Sequence, residues 1–272
     1  MMRALSELPE EVLTRIQGVF CDIDDTLTTH GKLTAQAYDA MEALQRAGFR
    51  VIPITGRPAG WCDHIARMWP VDAVVGENGA FYFAYDRPAR KLLRHFLAGE
   101  DQRRSNRDRL IQVRERILRE VPGADVASDQ AYREADLAID FCEDVPHLAD
   151  ADIDRIVAIM QEAGMNAKLS SIHVNGWFGD YDKLGMTKTL MRERFDIDLD
   201  RERDRFIFVG DSPNDAPMFD YFPHSVGVAN VVEFAARLSV PPKFVTNLEC
   251  GQGFAELAAK LISASRANGG RS

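Results

Sequence analysis

The chain reads as an α/β protein: an open parallel sheet with helices on both faces, into which an α+β unit with an antiparallel sheet is inserted. Three observations carry this expectation. In residues 1–84 and again from 183 onward, short apolar runs alternate with helix-length amphipathic stretches, the pattern of a parallel sheet wound by crossover helices. Between those parts the stretches 136–141 and 167–178 alternate polar with apolar residues, as strands of an antiparallel sheet with helices on one face do. Finally, three apolar runs break off into polar residues that have no use in a core. They do so at the strand ends where open α/β sheets bind ligands.

Bulk properties set the bounds. At 272 residues the chain is long for one compact domain, so one large or two modest domains are expected. An apolar content of 46% with 28% charged residues is ordinary globular composition. The net charge of −9 argues against general nucleic-acid binding, which needs a basic footprint. Cys21, Cys62, Cys142 and Cys250 are far apart, with no CxxC pair, so neither a zinc site nor a disulfide framework is signalled and a reducing cytoplasm is expected. The first eighteen residues carry Glu7, Glu10 and Glu11 and no apolar core of leader length, and no run is long enough for a membrane span. Neither nucleic acid nor membrane is an expected partner, and the sequence leaves monomer or homo-oligomer open.

In order, the run at 18–22 is a short buried strand that breaks into Asp22-Ile23-Asp24-Asp25-Thr26. Three carboxylates that close repel and raise one another's pKa unless a cation joins them; alone, they equally describe an acidic surface turn. Thr34 caps a helix over 35–47, with Tyr38, Met41, Leu44 and Ala47 inward and Gly48 ending it. A second strand at 51–54 closes on Thr55-Gly56-Arg57-Pro58, and Pro53 within it points to an edge or a bulge. A helix over 59–68 follows, then a strand at 71–75 that turns through Glu77-Asn78-Gly79 into a hairpin at 80–84.

From 87 to 119 arginines crowd a long helix with Leu110, Ile111, Val113, Ile117 and Leu118 as its apolar contacts. A nucleic-acid patch and a solvated face both describe it, and the net acidity favours the solvated face. A half-exposed strand at 136–141, a helix over 147–163 and strand-like residues at 167–178 complete the middle section. The parallel pattern resumes with a helix at 184–195, a buried strand at 206–209 and the loop Gly210-Asp211-Ser212-Pro213-Asn214-Asp215. Short strands at 225–228 and 244–245, a helix over 254–263 and a frayed tail at 267–272 close the chain.

The strand ends bring Asp22, Asp24, Thr55, Asp211 and Asp215 to one crevice. Four carboxylates there need a cation, and hard oxygen ligands without His or Cys specify Mg²⁺. Lys183, at the start of a helix where anions are favoured, adds a positive charge. A cation, a lysine, a hydroxyl and a free carboxylate make a site for a phosphoryl group, with Asp22 attacking in line.

The set Asp22-Ile-Asp24-Asp25-Thr26, Thr55-Gly56-Arg57, Lys183 and Gly210-Asp211-Ser212-x-Asn214-Asp215 resembles the haloacid dehalogenase superfamily of phosphohydrolases. An insertion between the Thr55 and Lys183 motifs is similar to the type IIB cap of its Cof-like branch, which includes sugar phosphatases and phosphomannomutase. The resemblance implies a Rossmann-like core over 1–84 and 183–272 and a cap over 85–182. It also implies Asp22 as nucleophile and Asp24 as acid and then base. Asp22, the Asp24 carbonyl and Asp211 would be ligands of Mg²⁺, with Asp215 as a further ligand or support. Thr55 and the Gly56 amide would hold phosphate, with Lys183, and Asn214 would orient Lys183.

In the family the lysine is usually followed directly by glycine; here Leu184 intervenes, and Lys188 lies nearby, but Lys183 starts the helix and is preferred. Asp25 stands where the family commonly has glycine. Arg57 either touches substrate or braces its loop. The polar faces carrying Asp136 and Asp140, and Ser171, His173 and Asn175, either close over the crevice to read the leaving group or simply meet solvent. Glu77-Asn78-Gly79 resembles the family's NGA turn, and a purely structural hairpin is the preferred reading. The implied activity is a Mg²⁺-dependent phosphatase acting on a small phosphorylated metabolite, a sugar phosphate by resemblance. The alternatives are a phosphomutase or phosphotransferase, and a non-catalytic phosphate-binding regulator.

Overall fold

The structure, a computed structural model, describes residues 2–267. Of the expected tail at 267–272, residues 268–272 lie outside them, and Ala267 instead ends the last helix, Cys250–Ala267. Six parallel strands run in the order Arg3–Ala4, Phe244–Val245, Val226–Gly227, Phe206–Gly210, Gly18–Cys21 and Arg50–Pro53. The two central strands are wholly buried because each face meets a separate apolar layer. Val19, Cys21, Ile207 and Val209 face the helices Ala35–Arg46, Ala59–Met68 and Cys250–Ala267 through Met41, Leu44, Ile65, Leu257 and Leu261. Phe20, Phe206 and Phe208 face Lys183–Phe195 and Ala216–Tyr221 through Leu190, Met191, Met218 and Phe219. Burying a side chain of this size stabilises by about 1.5–3 kcal/mol, so the double-sided run of aromatics and aliphatics selects a central strand.

Thr34 caps the helix Ala35–Arg46 by accepting the Ala37 amide. Pro53 ends the edge strand of the six, where its missing N–H costs no ladder bond. Beyond it a single bridge, Ile54 to Val75, leads to a three-stranded antiparallel sheet of Val74–Gly76, Phe81–Asp86 and Lys91–Phe96. The last of these strands was not anticipated. Its Leu92 and Phe96 pack on the core cluster, so the hairpin belongs with the parallel sheet, past the expected boundary at 84/85. The long helix then starts at Glu100, as Glu100–Glu120.

The inserted unit carries Asn166–Leu169, His173–Trp177, Asp136–Asp140 and Asp125–Val126 as an antiparallel sheet in that order. Leu137, Ile139 and Val174 face the helices Glu100–Glu120 and Asp150–Glu162 through Leu110, Ile117, Ile153 and Ile156. The expected half-exposed strand is wrong in one respect: all five residues of Asp136–Asp140 are buried. Its polar face is covered by the loops of the parallel sheet, so neither it nor His173 and Asn175 meets solvent.

Candidate active site

The crevice forms where the carboxyl ends of Gly18–Cys21 and Phe206–Gly210 stand side by side. The register pairs Cys21 with Val209, and the Asp22 amide donates to the Val209 carbonyl at 2.9 Å. Asp22 and Asp211, one and two residues beyond that pair, are thereby neighbours. Lys183 begins the helix Lys183–Phe195, whose cap Asp182 accepts the Gly185 amide at 2.7 Å. That start aims the ammonium inward. Lys183 Nζ donates to Asp22 Oδ1 at 2.6 Å and to Asp215 Oδ1 at 2.7 Å, with all three residues buried. Burial works against the ammonium, but Asp215 and Asp22 outweigh it and hold Lys183 above its ordinary pKa. Lys188 instead reaches Asp200 on the outer side of the helix.

Burial pushes the Asp22 carboxyl up to about 8, with Asp215 and Asp24 adding and Lys183 opposing. Asp211 is raised by burial, with Asp22, Asp215 and Asp25 adding. Its Oδ1 accepts the Thr26 hydroxyl at 3.1 Å, while its buried Oδ2 has no protein partner. Oxygens of Asp22, Asp211 and Asp215 lie within 4.8 Å of one another. A buried all-carboxylate set with one orphaned oxygen fits a hard divalent cation. Asp215 also serves the loop, its Oδ2 accepting the Asp211 amide at 3.1 Å. A Cβ on Gly210 would stand 2.3 Å from that oxygen, which is why glycine precedes Asp211.

Other expected residues land differently. The Asp24 carboxylate is outside this cluster and takes Arg57 Nε and Nη2 at 2.9–3.0 Å. Arg57 also donates to Asp129 and to Glu143 of the inserted unit, at 3.1 and 2.6 Å, and stacks on Trp61. The donors of Arg57 are thus engaged by three carboxylates, two of them on the inserted unit. Glu143 lies 2.9 Å from His173 Nε2. Burial raises the Glu143 carboxyl, but bonds with His173 and Arg57 more than reverse this and bring it to about 2.

The Asp140 carboxylate accepts the amides of Cys142, Glu143 and Asp144 and closes their turn. Asn175 donates to Asp136 at 3.1 Å. Asn214 bonds Ser212 rather than Lys183, at 2.8 Å. Asp25 adopts φ 53°, which explains why glycine suits this position and why Asp, tolerant of the left-handed region, replaces it.

Thr55 and Gly56 sit beside the crevice, the buried Thr55 Oγ1 accepting the Arg57 amide at 3.0 Å. The neighbouring turn, expected as a structural hairpin, carries two buried polar side chains that the expectation did not include. Glu77 is wholly buried, and its carboxylate accepts the amides of Ala59, Glu134 and Ala135 at 2.6–2.9 Å. Next to it, both polar atoms of the Asn78 amide are buried without a protein partner, at a cost of about 1–3 kcal/mol per unsatisfied group. The legible signal was the turn Glu-Asn-Gly itself. Its side-chain partners come from Ala59 and residues 134–135, outside the turn.

A cavity of about 250 Å³ opens beside Asp24, lined also by Asp25, Thr28, His30, Arg57, Cys142, Glu143 and Ile172. A wider hollow of about 760 Å³, with Gln17, Arg50 and Arg205, lies at the amino ends of the strands, away from all of this chemistry.

Residues 19–101 match the family model of haloacid dehalogenase-like hydrolases. No curated protein matches the chain in sequence. Among solved structures, Thermoplasma acidophilum 0175 is similar at 17% identity and a TM-score of 0.67, over 90% of this chain and 98% of that one. The sucrose-phosphatase from Synechocystis, in complex with sucrose and phosphate, gives 16% and 0.62 over 90% and 98%. The C-terminal domain of the Candida albicans trehalose-6-phosphate phosphatase gives 12% and 0.69 over 97% and 98%. At these identities the likeness is one of fold.

Proposed function

We propose that this chain, a member of the haloacid dehalogenase-like hydrolases, is a Mg²⁺-dependent phosphatase that hydrolyses a small phosphomonoester, a sugar phosphate, through an aspartyl-phosphate. The observation that carries this reading is the buried contact of Lys183 with both Asp22 and Asp215, beside Asp211, at the carboxyl ends of the central strands. Asp22, Asp211 and, in support, Asp215 would hold the cation. When bound, Mg²⁺ supplies positive charge that keeps Asp22 ionised and offsets charge on the phosphoryl oxygens.

Asp22 attacks phosphorus and the bond from phosphorus to the ester oxygen breaks, with a proton from Asp24 going to the leaving oxygen. Water then attacks the aspartyl-phosphate, its proton passing to Asp24, and inorganic phosphate leaves. Lys183, the Thr55 hydroxyl and the Gly56 amide bind the phosphoryl oxygens. The cavity beside Asp24 suits a leaving group of monosaccharide size. A sugar phosphate accords with the substrates in the names of the Synechocystis and Candida albicans proteins. Four unpaired cysteines and the absence, among the described residues, of a helix long and apolar enough to cross a membrane accord with the cytoplasm.

The test is phosphate release from a panel of phosphorylated sugars, nucleotides and p-nitrophenyl phosphate, with and without Mg²⁺. Release is expected to require Mg²⁺ and to be stoichiometric with the dephosphorylated product, which separates hydrolysis from transfer to a second sugar hydroxyl. Asp22→Asn is expected to lower the rate by about 10⁴-fold or more. A variant that keeps most of the activity would sink the mechanism.

A further inference from the structure

Asn78 has no part in the mechanism above, yet its placement is costly and specific. Its backbone amide donates to the Thr55 carbonyl at 3.0 Å, and the Glu77 amide donates to the Arg57 carbonyl at 3.1 Å, so the turn Glu77–Gly79 is laced to the phosphate loop. Asn78 holds φ 54°, in the left-handed region, and Glu77 before it holds φ 42°. Strain of this kind persists where the surroundings over-determine it and concentrates at functional sites.

The side chain is directed at Gly56. A Cβ built on Gly56 would lie 3.1 Å from Asn78 Nδ2 and 3.4 Å from Oδ1. On its far side the turn presses on the start of the Lys183 helix, where a Cβ on Gly79 would fall 2.0 Å from the Asp182 carbonyl oxygen. Asn78 therefore stands between the two elements that would grip the phosphoryl group.

Among the described buried asparagines, Asn106, Asn175, Asn214 and Asn230 each have a partner: Gln102, Asp136, Ser212, and the Asp25 carbonyl with the Cys250 amide. Asn78, 2% exposed, has none for either polar atom. A side chain needed only to make a hairpin turn would be satisfied locally, as asparagines in turns are.

We propose that the Asn78 amide is a phosphate-binding group, donating from Nδ2 to a phosphoryl oxygen beside Gly56. This rests on the phosphatase reading above. The decisive variant is Asn78→Gly, which keeps the left-handed backbone and removes the unpartnered amide. The full chain with Mg²⁺ is titrated with inorganic phosphate by calorimetry, and KM for p-nitrophenyl phosphate and the thermal midpoint are measured beside it. The expected result is a phosphate Kd and a KM raised about tenfold or more with an unchanged or higher midpoint. Asn78→Asp, of the same shape but with a charge facing phosphate, is expected to raise both constants further. An unchanged phosphate Kd in Asn78→Gly overturns the proposal, whatever the midpoint does. If the wild-type chain binds phosphate but hydrolyses no ester in the panel, the phosphatase reading fails while the calorimetric comparison still decides the role of Asn78.

Discussion

Lys183 shows how one residue sets the character of the site. It neutralises two buried carboxylates that have little other compensation, and removing one member of a buried ion pair costs about 3–5 kcal/mol because the partners stay charged and desolvated. Lys183→Met is therefore expected to lower the free energy of unfolding in urea by that amount. Millimolar Mg²⁺ should restore part of the loss, since a cation among Asp22, Asp211 and Asp215 offsets the same charge. A variant whose stability matches wild type and ignores Mg²⁺ would contradict the electrostatics. Asp22, Lys183 and Asp211 were legible in the sequence because each ends or begins an element whose period is itself legible. The local bonds of Asp140 were not legible: alternation along the strand shows which face a carboxylate is on, and says nothing of the three amides that donate to it.

At the scale of elements, the turn Glu77–Gly79 joins three segments distant in the chain. The Glu77 carboxylate caps the helix Ala59–Met68 through the Ala59 amide, where the helix dipole favours a negative charge, and anchors residues 134–135 of the inserted unit. Glu77→Gln places an NH₂ against amide donors and is expected to cost about 2–3 kcal/mol, read as a lower midpoint in chemical denaturation. Retention of full stability would mean that these bonds carry no net weight. Strand and helix periods were readable over most of the parallel core, though its two-residue edge strand Arg3–Ala4 is too short to show one. The strand Lys91–Phe96 was missed because it sits among the arginines and lysines of an exposed edge, and only Leu92 and Phe96 betray its contact with the core.

At the scale of the molecule, the inserted unit is tied to the core by Arg57 and its carboxylates. Glu143 is ionised in the folded chain down to about pH 2, and in the unfolded chain only down to its ordinary 4.5. Its stabilisation is therefore complete above pH 4.5 and is lost as the pH falls through 2. Allowing for solvent around a partly exposed group, the contribution is about 1–2 kcal/mol. Glu143→Gln is expected to be less stable than wild type at pH 6, with the gap narrowing as the pH is lowered from 4.5 toward 2. Thermal midpoints measured across that range check it, and a gap independent of pH would show that the Arg57 and His173 contacts do not hold the charge.

By itself the sequence determined the alternation that makes a central parallel sheet, the antiparallel sheet between its two parts, and the acidic strand ends with their lysine. These follow from period and from chemistry along the chain, which need no knowledge of what lies opposite. Tertiary structure alone decided which polar groups neutralise one another and which are left over. Arg57 is consumed by Asp24, Asp129 and Glu143, and Asp136 by Arg133 and Asn175, whereas Asn78 and one oxygen of Asp211 keep none. The physical reason is desolvation: a polar group's burden is set by whether a partner meets it after burial, and that partner comes from a segment far away in sequence.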